Sequence, residues 1–526
     1  LAKYVLSGDV EKAFLQIGLQ EQDRNYLKFF WIKDPSEGVK PENIRIMRFQ
    51  RVPFGLNCSL YLMAYSIVYA AENSDISERL KNAIKSNLYV DNYFCSFDNP
   101  TELIEIYKEV KDFFTKYRMN IRDFHTNAPG VEKIPQEDRA KGLTQKILGY
   151  TWNLTNDTLE IRFPTMNDQK TIFTRREIIS IIGQVFDPIG FTLPIMNESK
   201  ELILEIFKDS KWDTDQPANI CAKFKNFTQK IEGMKFSINR SIPFININNI
   251  ELTIFADSSD RIYGAVAYLI TKTDEGVKIS LILAKQRLIP TKKTSQKKVT
   301  VPKGELLALL LASRMAKFID LEMQINWKRI TILSDATIAL SWIRKNERQD
   351  IFIQNRTFEI RATARDFSDR AIPIEFGHCD TADNSADLLT KGIWTLDELK
   401  NSNWFEGPKW LKQPYESWPC DRFEIQKMTE EIEVNGKQPA TVNIVQSSKE
   451  EIPWPTALID VNKFWSRTLR EAGYGMIILN KMLLGLTPER QIEIYDRIPE
   501  LSQIRKENDL RRGLSKTQII HRERLH

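Results

Sequence analysis

The sequence predicts a multidomain protein that combines α/β and α+β segments. Its 526 residues correspond to about three or four domains at roughly 150 residues each. Hydrophobic residues at 42% and charged residues at 28% are ordinary proportions for globular protein. The local texture changes near residues 160, 245 and 395, which divides the chain into 1–160, 161–245, 246–395 and 396–526.

Residues 1–160 mix short apolar strand-like runs with amphipathic helical stretches. Residues 161–245 read as helical. The stretches 175–183 and 198–208 carry apolar residues at i, i+3 and i+4, and Pro188, Gly190 and Pro194 break the chain between them. In 246–395 the runs 251–256, 264–271 and 279–284 read as three strands in meander order. A helix over 303–319, a strand over 330–334, a helix from about Thr337 and a strand over 372–376 are expected to follow. Residues 393–460, rich in Trp, Pro and charge, read as a linker or loosely packed extension. Helical patterning returns at 461–484 and 488–496.

No apolar run approaches the ~18 residues of a membrane span; the best, Leu306 to Ala312, is short and adjoins Glu305, so no membrane partner is expected. Leu1 leads straight into an apolar stretch with no charged n-region, so the chain reads as a piece of something longer rather than one opening on a signal peptide. The five cysteines include no Cys-x-x-Cys pair, which points to a reducing, intracellular compartment. With only four histidines, any metal is expected on carboxylates, which suits magnesium or manganese. Net charge is +5, yet the run from Lys285 to Lys303 holds seven Lys/Arg and no acid. His521 and His526 read as tail histidines, since no Cys-x-x-Cys accompanies them.

Four acids in 246–395 stand at the ends of expected elements. Asp257 follows a strand, Glu305 starts a helix, Asp335 ends a strand, and Asp387 lies in Asn384-Ser-Ala-Asp. Any one of them suits a helix cap or first turn. Gathered together they would repel one another unless divalent cations sat among them. Two such ions between shared carboxylates can activate water and stabilise a leaving oxygen of a phosphodiester.

This set resembles ribonuclease H, through IFADSS, VPKGELLALLLA, ILSDATIALSW and GHCDTADNSADLLTKG. The form HxxTxxNxADLxTKG is similar to that of Pao-type retroelement enzymes. The resemblance makes Asp257, Glu305, Asp335 and Asp387 the catalytic metal ligands, and it matches His378 to a histidine assisting proton transfer or product release. Beside such a site, Lys292, Lys293, Lys297 and Lys298 of the basic run are expected to contact phosphates.

In the first segment Asp9 ends a strand in SGDVEKAFLQI, RVPFGLNCS opens a helix after a Gly-bearing turn, and LYVDNYFCS puts Asp91 at a hairpin tip. Nucleotidyl transfer needs carboxylates from two separate elements to hold two magnesium ions, and Asp9 and Asp91 supply one each. These ordered motifs resemble the palm of reverse transcriptases, again of the Pao type of LTR retrotransposon. The resemblance gives Val10 a carbonyl on the metal and makes Phe14 a steric gate. It places Phe54 and Gly55 along the nucleotide and template. It makes KILGYTW, with Gly149 and Tyr150, a primer grip. Asn92 stands where the family usually has a second aspartate, and the fingers strands before Asp9 are missing from the chain. Residues 175–208 resemble the thumb-like segment often labelled a Pao peptidase; no Asp-Thr-Gly or Asp-Ser-Gly occurs, so no aspartic protease is expected.

The resemblance thus implies a partial reverse-transcriptase palm and thumb-like region followed by a ribonuclease H-like mixed sheet with helices, and a helical pre-integrase region after 396. It implies RNA-directed DNA synthesis and hydrolysis of RNA in RNA/DNA hybrids, with two Mg2+ or Mn2+ per active site. The partners would be RNA template, DNA primer, dNTPs and RNA/DNA hybrid. The places would be the cytoplasm, within a virus-like particle, and the nucleus. The sequence gives no oligomeric state. The rival reading is a non-catalytic nucleic-acid-binding relic or a domesticated retroelement protein.

Overall fold

The structure is a computed structural model that describes residues 2–166, 170–207, 211–242, 250–273, 276–290, 299–323, 325–345 and 350–425. The chain divides into units 1–429 and 430–526, and the described residues all lie in the first. The helices expected at 461–484 and 488–496, His521 and His526, and Lys292, Lys293, Lys297 and Lys298 fall outside the described residues.

The chain opens with β1 (Tyr4–Val10), α1 (Ala13–Gln16), β2 (Lys28–Ile32), β3 (Ile44–Arg48), α2 (Ser59–Glu72) and α3 (Glu78–Asn87). It continues through β4 (Leu88–Tyr89), β5 (Asn92–Phe97), α4 (Leu103–Lys116) and β6 (Ile121–Thr126). Strands β4-β5-β1-β6 form an antiparallel sheet, and β2 and β3 a separate ribbon. Helix α4 buries Leu103, Ile106, Tyr107, Val110, Phe113 and Phe114, the i, i+3, i+4 stripe of an amphipathic helix. With Met63, Ile67 and Ala71 of α2 and Leu6 and Val10 of β1 they make one core. Central β1 carries Asp9 at its end, and a bulge between Ser7 and Asp9 shifts its register on β6.

Next come β7 (Thr144–Ile147), β8 (Tyr150–Asn153), β9 (Thr158–Arg162), α5 (Arg175–Ile182), α6 (Asn197–Ile206), α7 (Ala218–Ile231) and β10 (Lys235–Asn239). Strands β7, β8 and β9 form an antiparallel meander, and β10, returning after the three helices, pairs antiparallel with β9. Helix α5 opens on a capping box between Thr174 and Glu177. The break expected at Pro188 and Gly190 is a tight turn held by Asp187. Its Oδ1 accepts from the backbone N–H groups of Gly190 at 2.9 Å and Phe191 at 3.1 Å, and its Oδ2 from that of Thr192 at 2.7 Å.

The third segment contains β11 (Ile250–Ser258), β12 (Ile262–Thr273), β13 (Gly276–Leu288), α8 (Val301–Met323), β14 (Trp327–Ser334), α9 (Thr337–Arg344) and α10 (Ile351–Asp369). After it come β15 (Ile374–His378), α11 (Asp387–Lys391), α12 (Leu396–Asn401) and β16 (Asp421–Glu424). The sheet order is β13-β12-β11-β14-β15-β16, with β11, β14 and β15 mutually parallel and the other pairings antiparallel. The single helix expected from Thr337 is two, because Asp350 starts α10 by capping the backbone N–H of Ile353 at 3.0 Å.

Both faces of this sheet are buried. Ile254, Ala256, Ile330, Ile332 and Phe376 pack with α8 and α10 in one core. Phe255, Val266, Tyr268, Leu281 and Leu333 face the other way, into a core completed by Ile178, Leu202, Phe224 and Phe227 of the middle segment and by Trp404, Trp410 and Trp418. The sheet unit therefore runs past the boundaries expected at 245 and 395. The Trp-rich stretch after 395 is packed as far as β16, because its indoles fill the second face. Trp404 is fully buried; its Nε1 donates to the Phe191 carbonyl at 2.7 Å, and Tyr268 Oη donates to the Trp404 carbonyl at 2.6 Å. A Cβ on Gly190, whose φ is +92°, would lie 2.4 Å from the Ala284 carbonyl oxygen, so only glycine lets this turn meet β13.

Candidate functional site

The four acids of the third segment come together at one end of its sheet. Asp257 lies near the end of β11, where the strand meets α8 at Gly304. A Cβ on Gly304 would stand 2.5 Å from Ser258 Oγ, so glycine allows the first turn of α8 to bring Glu305 beside Asp257. Asp335 follows β14, and Asp387 opens α11. Asp257 is buried, and burial, followed by the charges of Asp335 and Asp387, pushes its carboxyl up to about 6. Burial, then Asp335 and Asp257, also raises Glu305. The carboxylates thus feel one another in a poorly solvated place.

Neighbouring donors orient them. Thr390 Oγ1 donates to Asp257 Oδ2. Asp335 accepts from Thr381 Oγ1 at 2.6 Å and from Asn384 Nδ2 at 3.1 Å, and the same Asn384 nitrogen reaches the Ala256 carbonyl at 3.1 Å. Lys391 Nζ lies 2.9 Å from Asp387 Oδ2. Among the described residues, no three His, Cys, Asp or Glu side chains already form an ion cage. The donor set is nonetheless the hard, anionic oxygen set that divalent magnesium or manganese takes.

His378 pairs with Ser334, the residue before Asp335, but on the other side of the sheet from Asp257. It shares its side of β15 with Ile374 and Phe376, whereas Asp257 shares its side of β11 with Phe255. His378 lines a cavity of about 1060 Å³ with Leu340, Arg344, Asp421 and Phe423, and none of the four carboxylates lines it.

In the first segment, Asp9 and Asp91 are neighbours across β1 and β5. The Val10 backbone N–H donates to the Asp91 carbonyl at 2.8 Å, and Asn92 Nδ2 donates to Asp91 Oδ1 at 2.8 Å. Val90 turns the hairpin tip with φ of 57°. Burial first, then the charges of Asp91 and Asp123, raise the Asp9 carboxyl, against the opposing Arg122. Phe14 is buried and meets exposed Phe54 edge-on, with ring centroids 4.9 Å apart; Gly55 follows with φ of +89°. Leu148 and Gly149 turn β7 into β8 with φ of 47° and +93°. Gly149, Lys146, Tyr89 and Asn92 line one groove of about 380 Å³, and Phe186 closes on Tyr150 at 5.5 Å between rings. The expected primer grip and the hairpin tip therefore share a groove.

Two family matches cover these regions. Residues 1–127 match the family described as reverse transcriptase (RNA-dependent DNA polymerase), and residues 174–336 match the Pao retrotransposon-like RNaseH-like domain. The chain carries a reverse transcriptase region and a Pao-type RNase H-like domain. Both are enzyme families, and both generally use divalent metals. Among curated proteins nothing matches. Solved structures similar in fold include a foamy viral protease-reverse transcriptase in complex with double-stranded DNA, at 15% identity and a TM-score of 0.41, covering 72% of this chain and 57% of that one. The chain thus spans just over half the length of that relative. An N-terminal RNase H domain from Mycobacterium tuberculosis, determined as a fusion with maltose-binding protein, is similar at 15% identity with a TM-score of 0.20, covering 29% of this chain and 97% of that one. RNase H1 from the archaeon Halobacterium salinarum is similar at 14% identity with a TM-score of 0.19, covering 29% and 99%.

The Pao-type match begins at Thr174, the cap of α5, so the family domain includes the helical segment whose core the RNase H-like sheet shares. Several residues at the sites escaped the sequence reading. Thr381, Asn384 and Thr390 lie inside the motif around Asp387, and only their spatial neighbours disclose a role. Asp123 of the reverse transcriptase region sits in the β6 bulge with φ of 51°; its lone Asp in a polar strand carried no signal.

Proposed function

We propose that the chain is a part of a retroelement Pol that copies RNA into DNA at Asp9 and Asp91, and hydrolyses the RNA strand of RNA/DNA hybrids at Asp257, Glu305, Asp335 and Asp387. The observation that carries this reading is the gathering of four carboxylates, from four separate elements, in which burial and mutual charge raise Asp257 and Glu305. Such a cluster is ill suited to an apoprotein and well suited to two Mg2+ or Mn2+ ions.

When bound, divalent ions would make water a better nucleophile and offset charge on the leaving oxygen. The chain's own residues prepare that site. Thr390 fixes the rotamer of Asp257, Thr381 and Asn384 fix that of Asp335, and Lys391 pairs with Asp387. In the palm, Asp9, Asp91 and the Val10 carbonyl would hold the metals, Phe14 backed by Phe54 would bound the sugar side of a dNTP, and the turn at Gly149 and Tyr150 would hold a DNA primer on an RNA template.

The test is magnesium-dependent cleavage of the RNA strand of a hybrid by the full chain. Asp335→Asn, which removes one charge and nearly keeps shape, should lose most of the activity while melting cooperatively. Equal cleavage by the variant would refute the assignment, and no cleavage by folded wild type would favour the binding relic.

A further inference from the structure

A side chain of the middle segment, Asn197, reaches the helix that carries Asp387. We propose that Asn197, at the start of α6, is a positioning residue that sets where the helix carrying Asp387 stands relative to Asp257. This rests on the ribonuclease reading above.

Helix α11 is five residues long, a single turn. One turn fixes several dihedrals for little hydrogen bonding, so it does not hold itself, and its last carbonyls need partners from elsewhere. Those partners come from two other elements. Asn197 Nδ2 donates to the Thr390 carbonyl at 3.2 Å, and Gln286 Nε2 of β13 donates to the Leu389 carbonyl. The two amides are joined, because Gln286 Nε2 also donates to Asn197 Oδ1 at 2.7 Å. Just beyond the helix, the Ile393 backbone N–H donates to the Pro194 carbonyl at 3.1 Å. Gly392 turns there with φ of +79°, and a Cβ on it would lie 3.0 Å from Asn197 Nδ2. The chain therefore folds directly against the Asn197 amide, which is buried.

Thr390 makes the link to the site. Its carbonyl is held by Asn197, and its hydroxyl bonds Asp257. None of the hydrogen bonds of Asn197 reaches a carboxylate, so its influence passes through Thr390 and α11. Direct partners of metal ligands, as Thr390 would be, typically govern affinity or activity by about 10–100-fold, and Asn197, one step further out, should act toward the lower end of that range.

The experiment uses the full chain, comparing wild type with Asn197→Ala and with the near-isosteric Asn197→Asp, which keeps the acceptor for Gln286 and loses the donor to Thr390. In protein stripped of metal by EDTA, amide hydrogen exchange of residues 388–392 should quicken by on the order of tenfold in both variants, while exchange in β11 and α8 stays as in wild type. Mn2+ binding followed by calorimetry should weaken by about tenfold or more. Hybrid cleavage should fall at low Mg2+ and recover in part at high Mg2+. Unchanged exchange over 388–392 together with unchanged Mn2+ affinity would overturn the proposal. Should Asn197→Ala lose its cooperative melt, Asn197→Asp alone decides by the same readouts. If wild type binds Mn2+ yet cleaves no hybrid, the ribonuclease reading fails while the exchange result still decides the positioning role.

Discussion

Replacing Asp257 by Asn separates what the carboxylate contributes to chemistry from what it costs the fold. Asp257 is 8% exposed, and an amide of the same shape can still accept from Thr390. Burial is the largest influence on its carboxyl; Asp335 and Asp387 add to it, and the bonds from Thr390 and the Ser258 backbone oppose it, leaving the group at about 6 rather than 3.8. The folded protein therefore holds this proton more tightly than the unfolded chain. The resulting penalty on the fold is absent below pH 3.8, grows between 3.8 and about 6, and is complete above that. A displacement of this size corresponds to about 3 kcal/mol. In EDTA at pH 7, Asp257→Asn should therefore melt higher, by on the order of 5–10 °C for a unit of some 250 residues. At pH 4 the difference should nearly vanish. Saturating Mn2+ should stabilise wild type by mass action and narrow or reverse the gap. Hybrid cleavage by the variant should be lost at every pH. Calorimetric melts at pH 4, 5, 6 and 7, with EDTA and with Mn2+, test all of this. A variant no more stable than wild type at pH 7 in EDTA, or a gap that does not change with pH, would refute the reasoning.

Gly304→Ala should cut hybrid cleavage at least tenfold, with an overpacking cost of about 1–3 kcal/mol, because the new methyl meets Ser258 Oγ at 2.5 Å; adding Ser258→Ala should restore much of it, and no rescue would mean that another contact dominates. A fragment of residues 245–395 should fail to melt cooperatively and should bind a hydrophobic dye, whereas residues 170–425 should fold; a cooperative melt from the shorter piece would show that the sheet does not need its second cover. In primer-extension assays on an RNA template, Asp91→Ala should abolish extension in a polymerase-competent chain, while Asn92→Asp leaves it intact or raises it; full extension by Asp91→Ala would remove Asp91 from the polymerase site.

Much of the architecture could be read from apolar patterning. The three-strand meander of 250–288 and the buried α8 follow from runs such as Leu252 to Ala256 and Leu306 to Ala312, and four acids at element ends marked the carboxylate cluster. Those same runs also imply a sheet covered on both sides. A strand apolar at successive positions has both faces covered. In β11, Ile254 and Ala256 do face one core and Phe255 the other. What covers the second face was not legible: α7 carries a clear helical stripe in Ile220, Phe224, Phe227 and Ile231, but a stripe does not name its partner, and the tryptophans at 404, 410 and 418 lie in a stretch of weak periodicity, far in sequence from the strands they cover. The roles of Thr390 and Asn197 were hidden for a related reason: each acts through a hydrogen bond spanning more than a hundred residues.

The cores also say where the two chemistries divide. The reverse transcriptase region is built on its own apolar cluster, from Leu6 to Ile134. Some of its joints to later segments are polar: Ser7 Oγ donates to Gln145 Oε1 at 2.7 Å, and the Arg240 guanidinium donates to the Lys3 carbonyl at 2.8 Å. The segment from Tyr150 to Phe236, by contrast, shares an apolar core with the RNase H-like sheet. Polar joints separate at modest cost, since water replaces each partner, whereas parting a shared apolar core exposes every side chain in it. Against that shared core the loop after α5 touches two elements: Phe186 closes on Tyr150 of the β7–β8 hairpin, and a few residues on, the Ile189 carbonyl accepts from the Ala284 backbone N–H at 2.7 Å while the Pro188 carbonyl accepts from Lys285 Nζ at 3.0 Å. The helical segment belongs with the RNase H-like sheet, as the cover of its second face and, through the Asn197 bond to the Thr390 carbonyl, as a support of the helix that carries Asp387.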